Sequence, residues 1–376
     1  MLLNRIRNRM RALGRARQIL RTYEPTLKDH PDFDVARGRS GFEQKGSVPI
    51  RDEHLQRILV AYQKAKASQP AAPEVYQVSN EWLPIYRDQF QPSIDLMMSG
   101  NKNKTRRMFE NFFRDGISTG LHGMPTNMHA AYFSGRISNR DVKLYLVDAL
   151  FRLSIWQELM PSHSPAELVR PDIGNPYGFW ASSNFITPGA EYQHYYAHKT
   201  VALMKDIGQK TILELGGGYG GFAYFLKSID SGARYIDIDL PEVLALSTFY
   251  LMTAYPDAKF VLHGEHEGPE IPDFDFWMIP NFDFGVVSPG SVDLVFNSYS
   301  LGEMAHDTIE AYVAHFSRIS PKHIMHINHV KFAVRSAEAF GLEHAGFRLK
   351  EREPTRWNLG RQLDMDEDMF LYENIA

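Results

Sequence analysis

The residues whose types and spacing most clearly indicate chemistry form one stretch, T-I-L-E-L-G-G-G-Y-G-G, at positions 211–221. A short apolar run carries a carboxylate at Glu214, a turn rich in glycine follows, and the apolar segment 222–226 predicts the start of a helix. Glycines let the backbone approach a ligand closely and adopt φ values that other residues avoid. The stretch therefore predicts a strand, a turn and a helix that together hold a nucleotide-type cofactor.

The glycines are compatible with two classes of cofactor. Gly216, Gly218 and Gly221 satisfy G-x-G-x-x-G, the dinucleotide fingerprint, which is a weak signal on its own. Glu214 distinguishes the classes, because a carboxylate two residues before the first glycine opposes the negative charge of a pyrophosphate. The same carboxylate attracts the sulfonium and ammonium groups of S-adenosylmethionine. We predict that Glu214, Gly216, Gly218 and Gly220 bind that cofactor; a purely structural glycine turn is the alternative.

A second acidic site follows the next predicted strand, 233–239. Asp239 ends this strand about 20 residues past the glycines, where a carboxylate can accept both hydroxyls of a ribose. Asp237 is the alternative ligand. Either residue could instead cap the helix that begins near Pro241, because proline suits the first position of a helix.

Several blocks resemble known methyltransferases. The pattern E-x-G-x-G-x-G at 214–220 resembles motif I of class I S-adenosylmethionine-dependent methyltransferases. Further blocks resemble the sugar O-methyltransferase family of bacterial glycan and glycosylated-metabolite clusters: G-N-P at 174–176, a tyrosine-rich segment at 192–196, I-D-L-P-E at 238–242 and N-S-x-S-L-G-E-M at 297–304. The similarity covers the C-terminal half of the chain, whereas residues 1–160 resemble the family only in being helical.

The resemblance implies an α/β fold with a Rossmann-like class I methyltransferase sheet, mostly parallel and closed by an antiparallel pair at 345–349 and 369–372. That closing pair argues against a dehydrogenase, which would need a second cofactor half after it. We predict a helical N-terminal region at 1–180, for substrate binding and dimerisation, and an S-adenosylmethionine-binding domain at 181–376. Within the first region, helices are predicted over 52–69, 81–98, 102–115 and 139–160.

Two further cofactor contacts are implied by the resemblance. Glu265 follows the strand predicted over 259–262, where such enzymes place an acidic residue against the adenine amine. Asn297 follows the strand predicted over 291–296 and occupies the place where metal-dependent relatives carry paired acids. For that reason we expect no metal at this cleft.

Methyl transfer to a sugar hydroxyl calls for a general base close to the methyl donor. Glu303 and His306 follow the fourth predicted strand and share one face if a helix has begun, so we predict His306 as the base, oriented by Glu303. Glu303 could instead cap the helix. His263 is a further candidate after the third strand. His326 and His329 bracket the end of the fifth strand and should point to opposite faces.

The composition sets limits on the remaining classes. The 376 residues are 44% hydrophobic and 23% charged and contain no cysteine, which excludes disulfides, thiolate catalysis and cysteine-based zinc sites. No apolar run approaches the ~18 residues of a membrane span. Tyr177, Trp180 and Tyr192 could form an aromatic face for a sugar ring, or could belong to the core.

The charge is unevenly distributed. Residues 1–21 contain seven arginines and no acid, and the whole chain has a formal charge of −4, so the body is acidic and we expect no nucleic-acid partner. The basic segment spaces its apolar residues as an amphipathic helix would, which predicts peripheral contact with an anionic membrane. A solvated tail or a helix packed on a partner subunit are the alternatives.

These patterns predict a cytoplasmic S-adenosylmethionine-dependent O-methyltransferase, peripheral at the inner face of the membrane, that acts on a sugar hydroxyl of a bacterial glycan, glycolipid or glycosylated metabolite. A homodimer is expected from the helical region. The alternatives are a non-catalytic subunit that binds the cofactor, or a methyltransferase of a small phenolic or amine metabolite.

Overall fold

The C-terminal half of the chain is built on one large sheet. The computed structural model describes residues 14, 17–78, 82–122, 131–132, 136–266, 268, 270–331, 335–357 and 366–375. Its strands, in chain order, are β1 (Phe179–Ala181), β2 (Asn184–Ile186), β3 (Thr211–Leu215), β4 (Arg234–Asp239), β5 (Phe260–Val261), β6 (Phe276–Pro280), β7 (Leu294–Ser298), β8 (His323–His329), β9 (Phe347–Pro354) and β10 (Glu367–Asn374).

The large sheet has the strand order β5-β6-β4-β3-β7-β8-β10-β9, while β1 and β2 form a separate hairpin. Strands β3 to β8 pair in parallel, and β10 pairs antiparallel with both β8 and β9. All five residues of β3 are buried, as expected for a parallel strand covered on both faces. The chain order reverses at β3, between β4 and β7, which is the switch point where open sheets bind ligands. The predicted fold class, with its closing antiparallel pair, is confirmed.

The sequence analysis predicted one of the two strands on this side of β4 and missed the other, β6. The predicted strand 259–262 is only the two-residue β5, at the sheet edge, whereas β6 takes the place beside β4. The register pairs Tyr235 with Phe276 and Asp239 with Pro280. All five β6 residues are buried, so placing this longer apolar run in the interior of the sheet removes more apolar surface from water than placing the two-residue β5 there would.

Helices cover both faces of the sheet and form most of the N-terminal half. The α-helices span Val35–Ser40, Asp52–Ser68, Trp82–Ile85, Gln91–Met98, Lys102–Phe109, Asn139–Leu159, Ala190–Leu203, Gly221–Ile229, Pro241–Ala254 and His306–Ile319, and residues 17–27 are also helical. Helices are present in all four predicted stretches of the N-terminal region. The second contains a π-helical turn at Tyr86–Phe90, and the third ends at Phe109 and not at 115. Among the described residues, no helix has the length and apolar character needed to cross a membrane.

Most of the basic segment 1–21 lies outside the described residues, so its membrane contact stays a prediction. The domain boundary at 180 also stays a prediction, because one hydrophobic core includes residues from both sides of it. Phe109 of the N-terminal half stacks on Phe249 of the C-terminal half, with ring centroids 5.0 Å apart.

A buried carboxylate joins the two halves. Glu242, at the start of helix Pro241–Ala254, is fully buried and faces helix Asp52–Ser68. Its Oε1 accepts hydrogen bonds from the hydroxyl groups of Tyr86 (2.8 Å) and Tyr62 (3.2 Å), and it lies 2.7 Å from the Lys66 ammonium. The carboxylate therefore links the N-terminal helices to the sheet domain.

We expect Glu242→Ala to lower the free energy of unfolding by about 3 kcal/mol, because it leaves the Lys66 ammonium in a largely buried position without its counter-ion. Urea titration followed by circular dichroism measures the change. Asp257→Ala is the matched control, since Asp257 pairs with Arg51 at an exposed contact between the same halves and should change stability little. Equal losses in the two variants would contradict the assigned role.

Candidate active site

A cavity of about 370 Å³ opens at the carboxyl ends of the parallel strands. One residue at or just after the carboxyl end of each of five neighbouring strands lines the cavity. In the order of the strands β6, β4, β3, β7 and β8, these residues are Asn281, Asp239, Gly216, Ser298 and His329. The residues that line the cavity include Trp82, Leu121, Arg152, Tyr192, Gln193, Glu214, Gly218, Tyr219, Asp239, Asn281, Tyr299, Ser300, Glu303, His329 and Trp357.

The glycine turn forms the centre of the cavity floor. Gly216 has φ 79°, and a Cβ atom there would lie 2.3 Å from the Ser300 hydroxyl oxygen, so a larger residue would be both strained and obstructed. The Gly218 N–H donates to Asp239 (3.2 Å), and Gly220, at φ 90°, precedes helix Gly221–Ile229. The motif therefore has the predicted strand–turn–helix geometry, with its backbone against the cavity.

The two acids of β4 have different surroundings. Asp239 lines the cavity, and its carboxylate accepts from the N–H groups of Gly218 and Leu240. Asp237 is fully buried, does not line the cavity, and accepts from the Gly217 N–H (3.3 Å) and the Ser247 hydroxyl (2.9 Å). Asp237 therefore supports the turn from below, and Asp239 is the acid that a ligand can reach.

These carboxyl groups lie in a strongly desolvating environment. Burial raises the pKa of Asp237 to about 7, and burial together with the neighbouring Asp237 raises the pKa of Asp239 well above its usual range. Glu214 lines the cavity and accepts a hydrogen bond from the Tyr235 hydroxyl (2.5 Å). Its pKa is also raised well above the ordinary value, by burial first and Asp237 second.

Two predicted cofactor residues do not reach the cavity. Glu265 follows the edge strand β5, pairs with Arg57 (2.8 Å) and accepts from the Leu262 N–H (3.0 Å). Asn297 is fully buried within the sheet end and does not line the cavity. Asn281 follows β6, the strand beside β4, and lines the cavity, but the sequence analysis did not single it out. The apolar run F-W-M-I-P directly before Asn281 could have indicated a buried strand that ends there.

The predicted catalytic pair is not formed. Glu303 lines the cavity, where its carboxylate accepts from the Trp82 indole N–H (2.6 Å), but it belongs to the 3₁₀ segment Ser300–Glu303. Helix His306–Ile319 begins only at His306, so the two residues do not share a helical face. The His306 side chain is 63% exposed and pairs with Glu310 instead (3.1 Å).

The third predicted catalytic residue, His263, also lies outside the cavity. It follows the edge strand β5, and its Nδ1 lies 3.4 Å from the Asp283 carboxylate. Its displacement has the same cause as that of Glu265, because both residues were assigned to a strand that occupies the sheet edge.

The two histidines of β8 point to opposite faces, as predicted. His326 is fully buried and stacks on Phe370, and burial lowers the pKa of its imidazole to about 3. His329 lines the cavity, with its Nδ1 3.5 Å from an Asp366 oxygen and 3.6 Å from a Glu367 oxygen. Of the histidines named in the sequence analysis, His329 is the one that the fold delivers to the cavity.

The aromatic wall differs from the expected one. Tyr192 lines the cavity, but Tyr177 is fully buried in the core and Trp180 packs against Phe185 in the β1–β2 hairpin. The other aromatic residues that line the cavity include Trp82, Tyr299 and Trp357. Tyr299 has φ 69°, an uncommon conformation for a residue with a side chain, which often marks functional sites.

No model of a protein family and no curated protein sequence matches this chain. Solved structures of methyltransferases resemble it in fold. Magnesium protoporphyrin IX methyltransferase from Synechocystis, with bound S-adenosylmethionine, is 13% identical over 49% of this chain and 81% of its own, with a TM-score of 0.36. The N-methyltransferase NodS from Bradyrhizobium japonicum, in complex with S-adenosylhomocysteine, is 13% identical over 50% of this chain and 88% of its own, with a TM-score of 0.35.

A third such structure is phosphoethanolamine N-methyltransferase 2 from Haemonchus contortus, which is 13% identical over 52% of this chain and 55% of its own, with a TM-score of 0.36. All three of these structures are of methyltransferases that hold S-adenosylmethionine or S-adenosylhomocysteine. The acceptors in their names differ from one another.

We expect Asp237→Asn to reduce the pH dependence of stability. The native state favours protonated Asp237, so this contribution is complete below the unfolded pKa of about 3.9 and is lost as the pH rises through about 7. One such group changes the free energy of unfolding by up to about 1.4 kcal/mol per pH unit. Denaturant titrations should show that the free energy of unfolding falls less between pH 5 and pH 8 in the variant than in the wild type.

The control for this measurement is Asp88→Asn. Asp88 is exposed, and the hydrogen bond that it accepts from Arg87 lowers the pKa of its carboxyl group, so the group does not titrate between pH 5 and pH 8. This variant should keep the wild-type difference between pH 5 and pH 8. An unchanged pH difference in Asp237→Asn would show that this carboxyl is ionised in the native protein throughout the range.

Proposed function

We propose that the protein is an S-adenosylmethionine-dependent methyltransferase that transfers the methyl group to a hydroxyl of a sugar-containing acceptor. One observation carries this proposal: a single cavity holds a glycine turn with two acids at one end and a histidine beside two carboxylates at the other. Its volume of about 370 Å³ lies within the range of small-molecule sites.

The donor occupies the end of the cavity formed by β3, β4 and β6. The backbone at Gly216–Gly218 permits close approach, and Asp239 is placed to accept the two ribose hydroxyls. Asn281 takes the position proposed for Glu265, because it follows the strand that pairs with β4. Its side-chain amide donates to the Tyr76 carbonyl (2.9 Å), which leaves the amide oxygen to accept from an adenine amine.

The acceptor occupies the end formed by β7 and β8. The glycine turn after β3 and His329 after β8 lie two strands apart, roughly 10 Å, which is room for the methyl group and the attacking oxygen between them. When bound, S-adenosylmethionine would supply an electrophilic methyl group for attack by an acceptor hydroxyl. The hydroxyl proton passes to His329, whose positive charge Asp366 and Glu367 stabilise.

The cavity wall supports a polar acceptor with an apolar face. Tyr192, Tyr299 and Trp357 present aromatic rings that can pack against a sugar ring, and the hydroxyl groups of the two tyrosines can bond its hydroxyls. Arg152, the arginine of the wall, is held by Asp148 (3.0 Å). The histidine beside two carboxylates in this cavity favours an enzyme over a non-catalytic subunit.

We expect Asp239→Ala to weaken the binding of S-adenosylhomocysteine by ~2–4 kcal/mol, because a carboxylate that accepts two hydroxyls is lost. Isothermal titration calorimetry measures this affinity. Asp88→Asn is the matched control and should bind as the wild type does, since Asp88 is exposed and does not line the cavity. Tight binding of NAD, with no response to S-adenosylhomocysteine, would exclude the proposed donor.

We expect His329→Gln to lower kcat by ~10²–10⁴ while the affinity for S-adenosylhomocysteine hardly changes, because the residue acts on the acceptor. Transfer of labelled methyl from S-adenosylmethionine to carbohydrate fractions of cell extracts provides the assay. The wild-type rate should rise with pH through one ionisation that the variant lacks. His344→Gln, an exposed histidine elsewhere, is the control.

Two outcomes distinguish the alternatives. Normal turnover in His329→Gln would remove this histidine as the base. Labelling confined to phenolic or amine fractions would identify the small-metabolite alternative instead of a sugar acceptor.

A further inference from the structure

Four side chains of metal-binding type lie together away from the cavity. They are His163, Glu167, His194 and His198, and one potential ligand atom from each lies within 4.8 Å of the others. None of the four lines the cavity, so the cluster has no part in the methyl transfer described above.

Two local elements place these side chains. His194 and His198 are one helical turn apart on helix Ala190–Leu203 and therefore share a face. Glu167 lies in the 3₁₀ helix Pro165–Leu168, and its Oε1 accepts from the backbone N–H of Ser164 (2.8 Å) in a capping box. That bond directs the second oxygen, Oε2, toward His163 Nδ1 at 2.8 Å and His194 Nε2 at 4.0 Å.

The three imidazoles are closely packed. The ring centroids of His198 lie 4.5 Å from His194 and 4.6 Å from His163. His194 is buried against Phe225, and His198 is partly buried. Neutral imidazoles have the free lone pair that a metal ion requires.

We propose that this cluster is a binding site for a divalent transition-metal ion, Zn²⁺ in particular, with His163, His194, His198 and Glu167 as ligands. Three nitrogens and one carboxylate oxygen form a ligand set for tetrahedral zinc. Calcium and magnesium prefer oxygen ligands, so the three imidazoles disfavour them. Binding draws the ligand atoms together and replaces the hydrogen bond between His163 Nδ1 and Glu167 Oε2.

The ion would have a structural role. It joins the segment at 163–167 to helix Ala190–Leu203, and the same helix carries Tyr192 and Gln193 into the cavity wall. The metal therefore fixes the helix from the side opposite the acceptor and is expected to raise the melting temperature.

Trp156 provides an internal reporter of this site. Its indole N–H donates to His194 Nδ1 at 3.3 Å. When a metal ion binds Nε2, the neutral ring carries its proton on Nδ1, so the indole loses this acceptor. Zinc binding should therefore change tryptophan fluorescence, and this response does not depend on methyl transfer.

The test uses full-length protein without an affinity tag, treated with a chelator and then titrated with Zn²⁺ by calorimetry. We expect one ion per chain, a higher melting temperature and a change in fluorescence. His198→Ala should weaken zinc binding at least 100-fold, and Glu167→Gln should weaken it less. The affinity for S-adenosylhomocysteine should be unchanged in both variants, so this proposal can fail independently of the proposed function.

The matched control is His306→Ala, because His306 and Glu310 form a histidine–glutamate pair at the same helical spacing without the other two imidazoles. It should keep wild-type zinc affinity. Co²⁺ provides a second measurement, since a tetrahedral nitrogen–oxygen site gives intense visible absorption. Absence of zinc binding, or equal affinity in His198→Ala and the wild type, would overturn the proposal.

Discussion

A buried chain of side-chain amides holds the ends of the three central strands together, and the cavity floor depends on it. Asn297, at the end of β7, donates to the carbonyl of Leu215 (2.7 Å), the last residue of β3. Asn297 in turn accepts from Asn328 of β8 (2.8 Å), whose own oxygen accepts from the Gly302 N–H (2.9 Å). Both asparagines are fully buried, so a missing partner would be costly. The amides thus set where the glycine turn begins.

Two asparagines in the blocks that suggested a sugar O-methyltransferase hold the backbone in place. Asn297 of N-S-x-S-L-G-E-M fixes the start of the glycine turn through its amide. In G-N-P, Asn175 adopts φ 55° and accepts from the N–H groups of Lys45 and Gly46, while Arg114 bonds the Asn175 carbonyl (3.0 Å). Such residues shape a site without contacting its ligand. They therefore carry information about fold and little about the acceptor.

Local patterns in the sequence predicted the local structure well. The turn after Glu214, the strand that ends at Asp239 and the helix at 52–68 follow from apolar spacing and glycine chemistry over short stretches. The strand predicted over 259–262 lies at the edge of the sheet, and the strand beside β4, β6, was not predicted, because a short apolar run does not show whether a strand is central or at an edge. The two residues that depended on the predicted strand, Glu265 and His263, were misplaced with it.

The acceptor side of the site required tertiary information. Antiparallel pairing sets Glu367 directly opposite His329, and no spacing along the chain reveals that partnership. The predicted pairing of Glu303 with His306 was wrong for a local reason. It required both residues to lie in one helix, and the helix begins only at His306.

The carboxyl groups beneath the glycine turn give the cavity a capacity to exchange protons with solvent. Burial raises the pKa of Glu214 and of Asp239, so the ligand-free site retains protons that exposed acids would have released. A positively charged ligand beside these groups would favour their ionised forms, whereas a neutral ligand would not. The affinity of the cavity for a cationic ligand, relative to a neutral ligand of the same shape, is therefore expected to rise as the medium becomes more alkaline.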